Sequence, residues 1–138
     1  RADGLPLDMH AAICGKGVDG EAAELLGFVS IDAEGDAYDM GYALAGDAQG
    51  YGYATEAVTA MLLEARRAGY PFVTATHDEL NAASGRVMER CGMTYRYSYR
   101  ERWQPKDIDV AFKLFQIDFA RGVPTYSGYW ERHPQHWV

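Results

Sequence analysis

The sequence predicts an α/β (α+β) fold, a mixed and mostly antiparallel sheet with flanking helices. Three observations predict it. Short apolar runs joined by tight turns open the chain, which reads as a meander. One amphipathic helical stretch then leads into a β-branched run, which implies a parallel crossover. Two further strand-like runs follow a second helix and close the sheet.

Each element has its own signal. Met9–Cys14 is a short apolar run, and the glycine-rich Gly15–Gly20 reads as a turn. Leu25–Asp32 is a second strand, turned by Glu34-Gly35-Asp36. Ala37–Leu44 is a third, with Tyr38, Met40, Tyr42 and Leu44 on one face. Ala54, Ala57, Val58, Met61, Leu62 and Ala65 recur with helical spacing, and Gly69 and Pro71 stop the helix. Phe72–Thr76 is β-branched and aromatic. A second helix spans about Asn81 to Cys91, capped by Gly92. Met93–Trp103 alternates strictly, which puts Met93, Tyr95, Tyr97, Tyr99 and Trp103 on one face. Val110–Phe119 is the last strand. Residues 120–138 form an aromatic tail with a short helix around Tyr126–Arg132.

At 138 residues the chain has the length of a single domain, and its 48% hydrophobic content is enough for a core. The net charge of −7 argues against nucleic acid as a partner, which would need a basic footprint, and suits a cationic one such as an amine. No apolar run reaches membrane-spanning length. Cys14 and Cys91 are in no metal or redox spacing and are expected to be reduced and buried, as in a cytoplasmic protein. His133 and His136 lack further ligands in the pattern, so no metal is expected. The chain begins at Arg1, so a leader cannot be judged from it.

The segment Gln49-Gly50-Tyr51-Gly52-Tyr53-Ala54-Thr55 joins a strand to a helix start. Its glycines let backbone approach a ligand, and helix N-termini attract anions. It is neither a P-loop, since no Gly-Lys-Ser/Thr follows, nor a dinucleotide fingerprint, since Thr55 stands where a third glycine would be needed. Taken alone, glycines before a helix more often mark a turn than a phosphate site.

The pattern Gln-x-x-Gly-x-Ala at Gln49, Gly52 and Ala54 resembles the acyl-CoA signature of the GNAT superfamily of N-acetyltransferases. The run Gly52-Tyr53-Ala54-Thr55-Glu56-Ala57 is similar to the ribosomal-protein-alanine N-acetyltransferase branch. A second matching motif runs from Asn81 through Ser84, Arg86, Val87, Met88 and Glu89 to Gly92-Met93. The resemblance covers roughly residues 8–119. It implies a GNAT-like sheet whose N-terminal strand and helices are missing here. Residues 1–138 would then be one N-terminally incomplete acetyltransferase domain, with 120–138 as its tail. Tyr51 departs from the basic residue that many members carry. Arg66, Arg67, Arg86 or Arg90 could meet the 3′-phosphate instead, although exposed helical arginines are usually solvated.

The resemblance further implies acetyl transfer from acetyl-CoA to a primary amine by direct attack. The cofactor would be held by Tyr42, Ala43, Leu44, Gln49, Gly50, Tyr51, Gly52, Tyr53, Ala54, Thr55, Asn81 and Ser84. Ser84 would protonate the leaving thiolate. Against this, Ser84 could simply bond backbone within its helix, and Asn81 could be an N-cap. Asp32, Glu34 and Asp39 are candidate bases near strand ends, though turn carboxylates are usually just solvated. His77 is expected at the surface beyond its strand.

The resemblance implies a small-molecule or peptide amine as the acceptor. No membrane partner is expected, and the tail packs on its own domain or on a dimer mate. Two alternatives remain at this stage: a non-catalytic acyl-CoA-binding module, and an interaction domain that docks through the aromatic tail.

Overall fold

The computed structural model describes residues 8–14, 25–44, 52–103, 105 and 107–138. The element order is β1 (Met9–Cys14), β2 (Leu25–Ile31), β3 (Met40–Leu44), α1 (Tyr53–Arg67), β4 (Phe72–Asp78), α2 (Ala82–Arg90), β5 (Thr94–Trp103), β6 (Ile108–Asp118), α3 (Gly128–Arg132) and β7 (His136–Trp137). The expected meander is present as an antiparallel sheet in the order β1-β2-β3. The second sheet has the order β4-β6-β5-β7, also antiparallel.

The two sheets meet where β3 and β4 run parallel, joined by a bridge between Asp39 and Thr74. The Thr74 amide donates to the Tyr38 carbonyl at 3.1 Å, and its hydroxyl donates to the Ala37 carbonyl at 2.8 Å. This is the parallel crossover that the strand–helix–strand order requires.

The core lies between the sheets and the two long helices. The apolar stripe of α1 (Val58, Met61, Leu62 and Ala65) packs with Val29, Ile31 and Met40 from the first sheet and with Val73, Ala75 and Phe115 from the second. Met88 of α2 and Met93 complete it. The helical period in the sequence marks this buried face.

The other face of the second sheet is covered by the C-terminal segment. Tyr97, Tyr99 and Leu114 form a cluster there with Phe112, Tyr129 and Trp130. Gln116, with no solvent exposure, anchors the segment: its side-chain oxygen accepts from the Tyr126 amide at 2.8 Å, and its nitrogen donates to the Pro124 carbonyl at 3.0 Å. A buried amide with each end bonded fixes the path of the chain it holds.

Four sequence expectations change. The third strand begins at Met40 rather than Ala37, because Tyr38 adopts a left-handed φ of 46° that ends the turn after β2. The tyrosine row does not share one face. A bulge between Tyr95 and Tyr97 leaves Tyr95 opposite Phe115 and Tyr97 opposite Leu114, on contrary faces. β4 extends to Asp78, so His77 lies inside a strand and is buried. Cys14 is exposed and Cys91 half-buried, and both are free thiols. No helix among the described residues is long and apolar enough to cross a membrane.

Candidate functional site

β3 and β4 are both edge strands of their sheets, and among the described residues the backbone bridge between them is at Asp39 and Thr74. Beyond that fork the facing edge of β3, from Met40 to Leu44, has no strand partner among the described residues. Unpaired backbone in such a slot can accept an extended ligand in strand fashion. Tyr42, Ala43 and Leu44 contribute the β3 side of this slot. Tyr42 reaches across it, its hydroxyl donating to the Ser84 carbonyl at 3.4 Å. Burial pushes the Tyr42 phenol above its ordinary pKa.

The N-terminus of α1 opens toward the same region. Gly52 is the N-cap with φ 77°, and its carbonyl accepts from the Glu56 amide at 3.0 Å. Glycine is required there by the left-handed backbone, since a Cβ would meet nothing within 4 Å. A groove of about 170 Å³ lies between this first turn and α2. Gly52, Tyr53, Ala54 and Thr55 line one side of it, and Ala83, Arg86 and Arg90 the other. Helix geometry aims first-turn amides out of the helix end, and the two guanidinium groups add positive charge. Of the four arginines the sequence offered, Arg86 and Arg90 reach this groove, whereas Arg66 and Arg67 sit in the last turn of α1. The chemistry of this donor set fits an acyl-CoA pyrophosphate. Gln49, Gly50 and Tyr51 lie outside the described residues.

Asn81 is the N-cap of α2, its side chain accepting from the Ser84 amide at 3.3 Å. Ser84 is thereby fixed in the first turn, half-buried beside Tyr42. Its hydroxyl lies within hydrogen-bond reach of the Tyr42 phenol. Cys91 ties the two helices together: the Thr59 hydroxyl donates to its sulfur at 3.4 Å, and its thiol donates to the Thr55 carbonyl at 3.5 Å. Burial raises the Cys91 pKa despite the Thr59 bond, so the group stays a thiol and suits packing rather than nucleophilic attack.

Among the three candidate bases, Asp39 stands at the fork itself. Strand alternation turns it away from the core residue Met40 and toward the face covered by the C-terminal segment. Its carboxyl keeps solvent access, yet protein crowds it. Lost hydration, with the nearby Asp32 charge adding, pushes its pKa up to about 6. Glu34 is exposed in the preceding turn, where its amide donates to Asp32 Oδ1 at 2.9 Å. The fork does not bring Glu34 and Asp39 together.

Sequence reasoning missed what surrounds Asp39. Tyr99 and Tyr129 lie within reach of its charge, and burial raises both phenols, Tyr129 to about 12. Tyr99 stacks on Tyr129 at 4.9 Å and on His133 at 4.8 Å. His136 stacks on Trp130 at 3.8 Å, so both tail histidines pack with rings. No cluster of three or more potential metal ligands occurs among the described residues. A larger cleft of about 440 Å³ between β1 and α1 is walled by Met9, Ala11, Ile13, Ala57 and Met61, away from the fork.

The fold is shared with solved acetyltransferases. It superposes with a TM-score of 0.63 on yncA, a putative acetyltransferase from Salmonella typhimurium solved with acetyl-CoA, at 18% identity over 75% of this chain and 64% of that one. RimL, a ribosomal L7/L12 alpha-N-protein acetyltransferase in complex with coenzyme A, gives 0.61 at 19% identity, covering 69% and 56% of the two chains. An acetyltransferase of the GNAT family from Bacillus anthracis gives 0.64 at 21% identity, covering 70% and 60%. The chain therefore spans less than two thirds of the length of these neighbours. No curated protein matches the sequence significantly. The model of the acetyltransferase (GNAT) domain matches residues 7–94, which include β1 to α2 with the fork and both helix N-termini, and the chain belongs to that family.

Proposed function

We propose that the protein is an acetyl-CoA-dependent N-acetyltransferase that moves an acetyl group to a primary amine by direct attack. The observation that carries this reading is the convergence of three features on one fork: the anion-binding groove at α1, the unpaired edge of β3, and Asp39 on the opposite face. Acetyl-CoA supplies the acetyl group as an activated thioester. The amides and arginines of the groove hold its pyrophosphate, and the β3 backbone from Tyr42 to Leu44 pairs with its extended arm.

The acceptor amine approaches from the Asp39 side. As an ammonium it is inert, and Asp39 takes its proton; with a pKa of about 6 it is ionised at neutral pH and still a useful base. The neutral nitrogen forms a bond to the acetyl carbon while the carbon–sulfur bond breaks. A β3 amide polarises the carbonyl. The new bond leaves the nitrogen with one proton too many; the Ser84 hydroxyl donates to the departing thiolate and regains a proton from that nitrogen, giving the amide and the free thiol, and Asn81 holds both the helix end and the pantetheine amide.

The acceptor is a small-molecule or peptide amine, and the enzyme acts as a single domain in the cytoplasm, where Cys14 and Cys91 stay reduced. A homodimer is compatible with this reading. The interaction-domain alternative loses support because the tail rings Tyr126, Tyr129 and Trp130 are committed to their own sheet. Thermal shift with acetyl-CoA, followed by thiol release with a panel of amines, tests the proposal. At ~100-fold excess over Kd, binding should stabilise the fold by about 2.7 kcal/mol. No shift defeats the acyl-CoA reading. A shift without thiol release leaves a binding module.

A further inference from the structure

The tail is tied to the turn that precedes Asp39. The Tyr126 hydroxyl donates to Asp36 Oδ1 at 2.8 Å, bridging residues 90 apart in sequence. Arg132 bonds the same hydroxyl and stands 3.9 Å from Asp36 Oδ1. Tyr97 donates to the Tyr126 carbonyl at 2.6 Å, and Gln116 holds the Tyr126 amide, so the ring is anchored from the sheet. Gly128 opens α3 although glycine is a poor helix residue. A Cβ there would collide with the Tyr126 hydroxyl, so the missing side chain makes room for the contact.

We propose that Tyr126 is a positioning residue of the transfer: its bond to Asp36 fixes the 32–39 turn so that Asp39 faces the fork between β3 and β4. The proposal rests on the acetyltransferase reading above. The turn has other ties as well: Thr74 holds the Ala37 and Tyr38 carbonyls at 2.8 and 3.1 Å, and the Tyr38 ring packs on Tyr70 and Phe72. The Asp32 amide donates to the Asp39 carbonyl at 2.9 Å, and Asp8 accepts from the Ala33 amide at its far end. Asp36 itself is exposed, and Tyr126 with Arg132 links it to the C-terminal segment, on the side of the turn that Thr74 does not hold. A base displaced by 1 Å loses much of its effect while the cofactor groove, on the other face, is untouched.

The titratable and charged groups at this corner are Asp32 and Asp36 on the turn, Tyr99 on β5, and Tyr129, Arg132 and His133 on the C-terminal segment. None of them changes in Tyr126→Phe, so a change in Asp39 titration there reports geometry and hydration, whereas Asp36→Ala also removes a charge and serves as the second arm for kcat.

The test compares the parent with Tyr126→Phe, which keeps the ring, and with Asp36→Ala, which removes the acceptor from an exposed position. Carbon NMR of labelled aspartate follows Asp39 titration, calorimetry gives the acetyl-CoA Kd, and kinetics give kcat and the acceptor KM. The expected result is a titration of Asp39 moved toward the ordinary carboxylate range in both variants. The acetyl-CoA Kd should be unchanged and kcat roughly 10-fold lower, with the double variant no worse than either single one. Unaltered Asp39 titration in folded Tyr126→Phe overturns the inference, and so does an altered titration with unaltered kcat. Failure of the parent to bind acetyl-CoA defeats the function reading instead, and the titration then still decides whether Tyr126 governs Asp39.

Discussion

The imidazole of His77 packs directly on the backbone of Gly85, so closely that a Cβ at Gly85 would stand 2.8 Å from Nε2. His77 is buried at the end of β4, its Nδ1 2.7 Å from the Asp78 carbonyl and its ring 5.5 Å from that of Phe115. A glycine inside a nine-residue helix is thereby explained as a packing feature that lets α2 settle on β4 and sets the position of Ser84, one residue earlier. Gly85→Ala gains helix propensity of up to about 1 kcal/mol but overpacks by about 1–3 kcal/mol, so a net loss of roughly 1 kcal/mol is expected. In a His77→Ala background the same substitution should stabilise. Urea denaturation of the four proteins in this cycle checks it; additive effects would show that the two residues do not share the space.

Asp39 makes two pH predictions of definite sign. If Asp39 is the base, it works ionised, so kcat/KM should rise with pH through about 6, and Asp39→Asn should remove that acidic limb along with most of the rate. Stability runs the other way. The folded state holds the proton more tightly than the unfolded chain, whose carboxyl titrates near 3.8. Between about 3.8 and about 6 the unfolded state therefore binds fewer protons, and unfolding free energy falls as pH rises. Asp39→Asn should raise Tm at pH 7.5 and leave it nearly unchanged at pH 3.5. A variant with lower Tm at pH 7.5 would show that the carboxylate stabilises the fork.

What the sequence reveals and what it hides divide along physical lines. The α1 stripe from Val58 to Ala65 and the cap at Asn81 are local patterns with fixed spacing, so both are legible, and the structure contains them. Gly52 at the start of α1 is legible for the same reason. The bulge at Arg96 is not local. Arg96 leaves the alternation because its guanidinium reaches Thr125 at 2.7 Å and Asp118 at 3.1 Å, partners 29 and 22 residues away. That bulge turns Tyr97 and Tyr99 to the tail and so builds the surroundings of Asp39. Likewise β7 is two residues long, paired to β5 at Ser98 and Tyr99, too short to carry a period. The proposed acceptor side is assembled from long-range contacts, whereas the proposed cofactor side sits on helix starts that announce themselves.

Gly52 separates backbone strain from steric blockage. Its φ of 77° is open to glycine and, at modest cost, to asparagine, and the space around its absent Cβ is empty. Gly52→Asn should lower stability by less than about 1 kcal/mol, while Gly52→Val should lose about 1–2 kcal/mol by forcing a β-branched residue into the left-handed region. If the groove holds the pyrophosphate, the side chain of either variant projects where the ligand must approach. Both should then lose the acetyl-CoA thermal shift, including Asn, whose fold is nearly intact. Retention of the full shift in Gly52→Asn would move the phosphate site elsewhere.

Ser84 and Asn81 share one helix turn, and their removal should have different consequences. The Asn81 side chain accepts from the Ser84 amide, so Asn81→Ala should cost about 0.5–2 kcal/mol as the loss of an N-cap, whatever the protein's function. Asn81→Asp keeps the cap oxygen and loses the amide donor. If Asn81 also holds the pantetheine, Asn81→Asp should fold as well as the parent but bind acetyl-CoA more weakly. Ser84→Ala keeps a good helix former and loses only the side-chain contact with Tyr42, so stability should fall slightly and acetyl-CoA Kd should barely change. Its effect should fall on kcat, by roughly 10²- to 10⁴-fold, because the leaving thiolate gains charge only as the carbon–sulfur bond breaks. Tyr42 offers an internal control. Its hydroxyl donates to the Ser84 carbonyl, and Tyr42→Phe should spare the large loss seen in Ser84→Ala if Ser84 is the donor. A large fall in Tyr42→Phe with normal turnover in Ser84→Ala would transfer the donor role across the fork from α2 to β3.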